Sequence, residues 1–158
     1  MQKLIWGLAA ATMMLAAPAH AVEVGKTMET EAEPAAVWAA VGDFCGIGEW
    51  HPAVTRCEQS EEGGKTRRTL TLGDGATLVE ELVSRDDAAM TYTYRIIEGP
   101  LPVENYKSTI TVTAAGKGST ISWNGTFDAK GATDAEAGEV VGGIYDAGLQ
   151  GIAEKAGM

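Results

Sequence analysis

The sequence of 158 residues contains few histidines, few cysteines and few basic side chains. It has two histidines, two cysteines, and 12 lysines and arginines against 22 aspartates and glutamates. The resulting formal charge of −10 opposes binding to nucleic acid and to anionic membrane surfaces, because like charges repel. No basic run or aromatic-plus-basic RNA-binding motif interrupts this balance. We therefore exclude nucleic acid as a partner.

Motifs for metal binding and for the common catalytic chemistries are also missing. There is no CxxC, and His51 is the only histidine beyond the first 21 residues, whereas a zinc site needs several soft ligands. The sequence has no nucleophile elbow, HExxH motif, phosphate-binding glycine loop or dinucleotide fingerprint. We predict neither a metal ion nor a cofactor.

The one long apolar run lies at the N-terminus. Lys3 precedes the apolar residues 4–15, and Ala19-His20-Ala21 has the small-x-small spacing of a cleavage site. The run is shorter than the roughly 20 residues of a membrane span, which disfavours the alternative of a retained anchor. We predict that residues 1–21 are a signal peptide cleaved near Ala21, and that the protein is periplasmic or secreted.

Residues 22–158 have the length of a single domain with one hydrophobic core. Removing Lys3 leaves 11 basic and 22 acidic side chains, a formal charge of −11. Nothing in this segment requires more than a monomer. Cys45 and Cys57 both remain after cleavage, and an oxidising compartment favours a disulfide between them over two free thiols.

Two hydrophobic periodicities divide the mature chain. Val22–Thr30 alternates weakly as a strand would, and the apolar residues that follow Pro34 recur at helical spacing. Turn signals then recur about every 8–12 residues through residues 53–130, which indicates antiparallel strands. Helical spacing returns after Thr133-Asp134-Ala135-Glu136, which matches a capping box. The sequence predicts an α+β fold: a first strand, two short helices, six strands and a long C-terminal helix, forming a bent seven-stranded antiparallel sheet around that helix.

The C-terminal helix is unusually rich in glycine, with Gly138, Gly142, Gly143, Gly148 and Gly151. Each glycine costs up to about 1 kcal/mol relative to alanine in a helix interior. The helix must therefore be stabilised by packing. The glycines either leave room for a cavity beneath the helix or allow close packing against it, and the sequence does not separate these two interpretations.

The hairpin over residues 65–85 predicts a polar pair on an apolar sheet face. A turn centred on Asp74 places Arg68 directly opposite Glu80, and Leu70 opposite Leu78. Opposed residues share one sheet face, with Cβ atoms roughly 5 Å apart. Two charged groups among leucines add little stability once desolvation is counted. The pair is either the polar floor of a binding cavity or a structural cross-strand ion pair.

A series of short motifs resembles the START-like (SRPBCC) superfamily of polyketide cyclase/dehydrase and lipid-transport proteins, over nearly the whole mature chain. These motifs, in order, are Val37-Trp38-Ala39-Ala40-Val41, Asp43-Phe44, Trp50-His51-Pro52-Ala53-Val54, Cys57-Glu58, Arg68-Thr69-Leu70, Glu80-Glu81-Leu82, Tyr92-Thr93-Tyr94 and Asn105-Tyr106-Lys107-Ser108. The resemblance implies a helix-grip fold, in which the sheet holds the long helix and a hydrophobic cavity lies between them.

The same segments more distantly resemble plant abscisic acid receptors. In those receptors the loops equivalent to residues 73–77 and 99–103 act as gate and latch, but the sequences here, Gly73-Asp74-Gly75 and Gly99-Pro100-Leu101-Pro102, differ. The resemblance therefore implies a cavity mouth at these two loops, without hormone-gated recruitment of a partner.

Six residues are candidates for contact with a ligand: His51, Arg68, Glu80, Tyr94, Tyr106 and Trp123. His51 falls where the plant receptors use a lysine to meet a ligand carboxylate, which makes an acidic ligand a hypothesis. Histidine can also act as a general acid or base, or simply lie at a helix end. Tyr94 and Trp123 have core packing as their alternative role, and Tyr94 could lie beside Glu80 on the next strand.

We predict an exported protein that binds a small hydrophobic or amphipathic molecule between the sheet and the C-terminal helix. A mostly apolar pocket with a few convergent polar groups is typical of such sites. Two alternatives remain. One is a cyclase/dehydrase-type enzyme that uses His51 for proton transfer; the other is an accessory protein without a ligand. The sequence identifies no protein partner.

Overall fold

Seven antiparallel strands form one sheet in the order β1-β7-β6-β5-β4-β3-β2. The computed structural model describes residues 20–157. Its elements are β1 (Val22–Thr30), α1 (Pro34–Val41), α2 (Ile47–Trp50), β2 (Val54–Glu62), β3 (Lys65–Leu72), β4 (Thr77–Asp86), β5 (Thr91–Glu98), β6 (Val103–Ala115), β7 (Gly118–Ala129) and α3 (Asp134–Lys155). The predicted α+β helix-grip architecture is confirmed, including the two short helices after the first strand.

The predicted hairpin register is also confirmed. Arg68 is paired with Glu80 and Leu70 with Leu78 across β3 and β4. The turn closes where Asp74 accepts a hydrogen bond from the Ala76 N–H at 2.9 Å, and Gly75 adopts a φ of 85°, which glycine reaches without steric cost. The turn at Asp74 therefore sets the register that places Arg68 and Glu80 together on the inner face of the sheet.

Helix α3 begins with the predicted capping box. The Thr133 hydroxyl accepts from the Glu136 N–H, and the Glu136 side chain accepts from the Thr133 N–H. These two bonds satisfy backbone donors that a helix start otherwise leaves unpaired. The buried side of the helix, including Val141, Tyr145 and Leu149, faces the sheet and forms the second layer of the core.

Two of the helix glycines allow close packing. A β-carbon at Gly151 would lie 1.8 Å from the carbonyl oxygen of Trp50, and one at Gly148 would lie 2.4 Å from the Trp123 ring. No side chain fits at such distances, so these glycines bring α3 against α2 and β7. By contrast, Gly143 has nothing within 4 Å of the added carbon. Close packing therefore explains the glycines in the second half of the helix.

A disulfide and a buried hydrogen bond hold the short helices α1 and α2 in place. Cys45 and Cys57 form a disulfide, as predicted, and it joins the loop between the helices to β2. The Trp50 indole N–H donates to the Val41 carbonyl at 3.1 Å, which holds α2 against the end of α1. These contacts fix the segment that carries His51.

Most of the predicted signal peptide, residues 1–19, lies outside the described residues. Within residues 20–157, no helix has both the length and the apolar character needed to cross a membrane.

We expect reduction of the disulfide to lower the free energy of unfolding by about 3 kcal/mol, because a loop across 12 residues gains chain entropy in the unfolded state. Urea denaturation with and without dithiothreitol measures this loss. A Cys45→Ser/Cys57→Ser variant is the control and should not respond to the reductant. Equal midpoints for the wild type in both conditions would contradict the prediction.

Candidate ligand-binding cavity

A cavity of about 200 Å³ lies between the inner face of the sheet and α3. Its apolar wall is formed by Ile47, Ala53, Val54, Leu70, Leu72, Leu78, Ile96, Leu101, Val141 and Ile144. Six further lining residues carry polar side-chain atoms: His51, Glu80, Tyr94, Tyr106, Trp123 and Tyr145. The cavity is thus mostly apolar with a few polar groups, as ligand sites usually are.

Arg68 and Glu80 form a buried ion pair at one wall of the cavity. The Arg68 Nε donates to Glu80 Oε2 at 2.6 Å, and its Nη1 donates to the Phe44 carbonyl. The guanidinium carbon lies 4.1 Å from the centre of the Phe44 ring. Arg68 is completely buried and is not among the lining residues. It therefore lies behind Glu80 and supports the carboxylate without facing the cavity.

Glu80 presents one oxygen of its carboxylate that no described residue satisfies. Oε2 accepts from Arg68, whereas Oε1 accepts no hydrogen bond from residues 20–157. Burial raises the pKa of Glu80, and the Arg68 charge opposes that rise. Because a guanidinium stays protonated in proteins, neutral Glu80 would leave a buried charge without its counterion. The geometry favours an ionised carboxylate with a free acceptor oxygen.

Three tyrosine hydroxyls form a connected group at the polar side of the cavity. Tyr94 and Tyr106 hydroxyl oxygens are 3.1 Å apart, and those of Tyr106 and Tyr145 are 2.6 Å apart. The Trp123 N–H donates to the Tyr94 hydroxyl at 3.1 Å, and Ser108 Oγ lies 2.8 Å from the Tyr145 hydroxyl. The network joins strands β5, β6 and β7 to helix α3.

Burial keeps these phenols protonated. It raises the pKa of Tyr94 and Tyr106 well above 10 and that of Tyr145 to about 12, because the apolar surroundings disfavour a phenolate. At neutral pH the network therefore consists of neutral hydroxyl groups.

Sequence reasoning missed Tyr145 and Ser108 as parts of this group. The signal for the role of Tyr145 lies outside the last helix, in strand β7. A β-carbon at Gly125 would lie 2.1 Å from the Tyr145 hydroxyl, so the glycine on the inner face of β7 makes the space for it. A glycine within a strand often marks such a close approach.

His51 lies at the cavity wall, but both of its ring nitrogens are occupied. Nδ1 accepts from the Ala53 N–H at 3.2 Å, and Nε2 lies 3.0 Å from the Ile144 carbonyl, to which it donates in the neutral tautomer. Burial lowers the pKa of His51, and the nearby Arg68 charge lowers it further, against the effect of the Ile144 carbonyl. His51 thus connects the start of β2 to α3 as a neutral residue.

The prediction that Tyr94 lies directly beside Glu80 on the next strand is wrong. The residue opposite Glu80 on β5 is Ile96, and Tyr94 is paired with Leu82. Register irregularities on both sides of the stretch from Glu80 to Leu82 change which residues of β4 and β5 face each other. Tyr94 nevertheless lines the cavity, as do Glu80, Tyr106, Trp123 and His51.

One of the two loops predicted to form a mouth lines the cavity. Leu101, in the loop between β5 and β6, is a lining residue, whereas none of residues 73–77 is; Leu72, the last residue of β3, lines the cavity at that end. A β-carbon at Gly99 would lie 2.3 Å from a methyl carbon of Leu78. The loop between β5 and β6 is therefore packed closely against β4 at this end.

The neighbouring carboxylate, Glu81, is on the opposite face of the sheet. It is 2 % exposed and bonds to Arg67 at 2.9 Å and to Arg95 at 2.7 Å, with Lys65 at 3.3 Å. These bonds lower the pKa of Glu81 to about 2. Two consecutive glutamates therefore have separate surroundings, and only Glu80 faces the cavity.

A curved antiparallel sheet that holds a long helix over an internal cavity defines a helix-grip domain. Residues 21–157 match the family described as polyketide cyclase / dehydrase and lipid transport. The chain belongs to this family, within the START-like (SRPBCC) superfamily, which confirms the predicted resemblance. No functionally curated protein matches the sequence.

Solved structures of similar proteins share the fold. XoxI from Bacillus cereus is 34% identical, with a TM-score of 0.79 over 84% of this chain and 94% of that one. Zhui aromatase/cyclase from Streptomyces sp. R1128 is 20% identical, with a TM-score of 0.71 over 87% and 94%. Ara h 8.0201 is 22% identical, with a TM-score of 0.71 over 87% and 98%. The latter two show likeness of fold alone.

We expect the ion pair to give a strongly non-additive mutant cycle. Glu80→Leu should cost about 3–5 kcal/mol, because it leaves the Arg68 charge buried without a partner. Arg68→Met should cost less, since Glu80 can take up a proton. The double variant should lie within about 1 kcal/mol of the wild type or above it. Urea denaturation measures all four proteins, and additive losses would contradict this expectation.

We expect His51 to make stability fall as the medium becomes acidic. Its folded pKa is lowered, so the unfolded chain binds more protons below an unfolded pKa of about 6.5. The stabilisation by neutral His51 is complete above that pH. It is lost as the pH falls towards the folded pKa, by up to about 1.4 kcal/mol per pH unit. Unfolding curves between pH 7.5 and 5 measure it. In the control variant His51→Gln the slope should be smaller, and an equal slope would refute the assignment.

Proposed function

We propose that this protein is an exported, monomeric carrier or sensor that binds one small hydrophobic or amphipathic molecule in the cavity between the sheet and α3. The observation that carries the proposal is the cavity of about 200 Å³ in an otherwise packed core. Protein interiors have few voids larger than a water molecule. Apolar side chains would supply the affinity, and Glu80 and the tyrosine hydroxyls would orient the ligand.

The size of the cavity bounds the ligand. A cavity of about 150 Å³ accommodates a benzene ring, whereas pockets for drug-sized ligands span about 300–1,000 Å³. The observed volume of about 200 Å³ therefore suits a molecule of about one substituted ring or a short branched chain. A longer ligand would require the end of β3 at Leu72 and the loop at Leu101 to move apart.

Export is supported by two independent features. Residues 1–21 have the pattern of a signal peptide, and Cys45 and Cys57 are joined in a disulfide. Disulfides persist in oxidising compartments such as the periplasm and are rare in the cytosol. A periplasmic or secreted location fits both.

Binding is favoured over the two alternative functions. An acid/base role for His51 would require a ring nitrogen free to exchange a proton with a substrate, and both nitrogens bond to the backbone. An accessory protein without a ligand would have no use for an internal cavity. The family description includes cyclases and dehydrases, and here the site offers them no unengaged proton carrier other than Glu80.

We expect 4-ethyltoluene, a neutral aromatic probe, to bind the wild-type protein in an NMR titration, with shifts at the cavity residues. Val141→Phe places a larger side chain in the cavity wall and should weaken binding at least about tenfold, by taking up the space. Val140→Phe is the matched control, because Val140 is the preceding residue of α3 and is 43 % exposed.

The two variants show whether the probe binds in the cavity. Retained binding in Val140→Phe with loss in Val141→Phe supports the cavity as the site. Equal binding by both variants would refute the proposed function. Thermal unfolding of both variants confirms that a loss of binding does not reflect a loss of fold.

A further inference from the structure

The polar side chains that line the cavity have used their hydrogen-bond donors inside the protein. The guanidinium Nη2 of Arg68 is buried without a hydrogen-bond partner among the described residues, but Arg68 does not line the cavity. The Trp123 N–H donates to the Tyr94 hydroxyl, and the His51 Nε2–H donates to the Ile144 carbonyl. Neither residue has another side-chain proton to offer in its neutral form. A ligand at these positions meets ring surfaces without a free N–H.

The hydroxyl network has one consistent direction. Ser108 Oγ donates its single proton to the Asn124 carbonyl at 2.9 Å, so the Tyr145 hydroxyl must donate to Ser108. Tyr106 must then donate to Tyr145, and Tyr94 to Tyr106, because each hydroxyl carries one proton. Every phenolic proton is thus committed to the next oxygen. What remains on Tyr94, Tyr106 and Tyr145 is acceptor capacity alone.

Glu80 adds a stronger acceptor to the same wall. Its Oε1 accepts no hydrogen bond from any described residue, while Oε2 is held by Arg68 at 2.6 Å. Hydrogen bonds to an ionised acceptor are about twice as strong as those between neutral groups. A ligand group that donates here would pair a cavity-facing oxygen that accepts no other hydrogen bond, and one that only accepts would leave this oxygen unpaired.

The charge of the ion pair disfavours both anionic and cationic ligands. A carboxylate ligand would face Glu80 and three phenolic oxygens, since Arg68 does not line the cavity. An ammonium ligand would add a net charge to an interior where Arg68 and Glu80 already balance each other. Burying an uncompensated charge is costly. A neutral donor creates neither problem.

We propose that the cavity selects a neutral ligand with a hydroxyl group, a phenol or an alcohol, whose O–H donates to Glu80 Oε1 while its apolar part fills the space beneath α3. This inference rests on the proposed function of the cavity and adds the chemical class of the ligand. It replaces the acidic ligand that the position of His51 suggested, because His51 has no nitrogen left to meet a carboxylate.

A pair of probes of equal shape tests the proposal. 4-Ethylphenol and 4-ethyltoluene differ by a hydroxyl in place of a methyl group, and 4-ethylbenzoate supplies an anion. Water solvates the phenol better, so a cavity without a suitable acceptor prefers the toluene. We expect the wild type to bind the phenol about tenfold more tightly than the toluene and to bind the benzoate at least tenfold more weakly than the phenol. NMR titrations give the three dissociation constants.

Two variants assign the preference to Glu80. Arg68→Met/Glu80→Leu removes the acceptor and leaves no unpaired charge, so it should prefer 4-ethyltoluene over the phenol. Glu81→Gln is the matched control: it neutralises the adjacent glutamate on the opposite sheet face. This variant should keep the wild-type preference for the phenol.

Each outcome bears on a different statement. Equal or weaker binding of the phenol by the wild type would overturn the donor preference and leave the proposed cavity function intact, as would tighter binding of the benzoate. A phenol preference that survives in the double variant would overturn the role of Glu80. Failure of all three probes to bind would overturn the proposed function and this inference together.

Discussion

The buried bond between Arg68 and Glu80 is the constraint on which the interior depends. It holds a carboxylate at the wall of an apolar cavity, fixes the guanidinium over the Phe44 ring and, through the Phe44 carbonyl, ties β3 to the segment that follows α1. Leucines at the two positions would fill this space without the desolvation of two charges. Stability alone therefore gives no reason for the pair, whereas a site that needs a fixed acceptor does.

The tyrosine hydroxyl network is the second polar feature of the interior. The tyrosines donate their protons within the hydroxyl network and Ser108 donates to the Asn124 carbonyl, so this side of the cavity has no proton to offer. His51 closes the opposite side by bonding to the backbone of α3. The glycines at positions 148 and 151 let α3 approach this corner closely. The only side-chain oxygen left wholly unsatisfied at the cavity wall, within the described part of the chain, is Oε1 of Glu80.

Local signals in the sequence were sufficient for the fold and for part of the site. The turn at Asp74 determined the register that pairs Arg68 with Glu80, and a capping box located the start of α3. The rest depended on contacts between distant elements. Tyr145 joins the site only because Gly125, on a strand 20 residues earlier, leaves space for its hydroxyl. His51 lines the cavity, but its bond to Ile144 follows from how α3 docks, which no local pattern encodes.

The most direct test of the central claim is a crystal structure of the protein with 4-ethylphenol bound. We predict that the ring lies beneath α3 and that the phenol oxygen lies within about 2.5–3.0 Å of Glu80 Oε1, with Arg68 still bonded to Oε2. A ring in the cavity with its hydroxyl directed towards the loop at Leu101, away from Glu80, would contradict the claim that the ion pair presents an acceptor to the ligand.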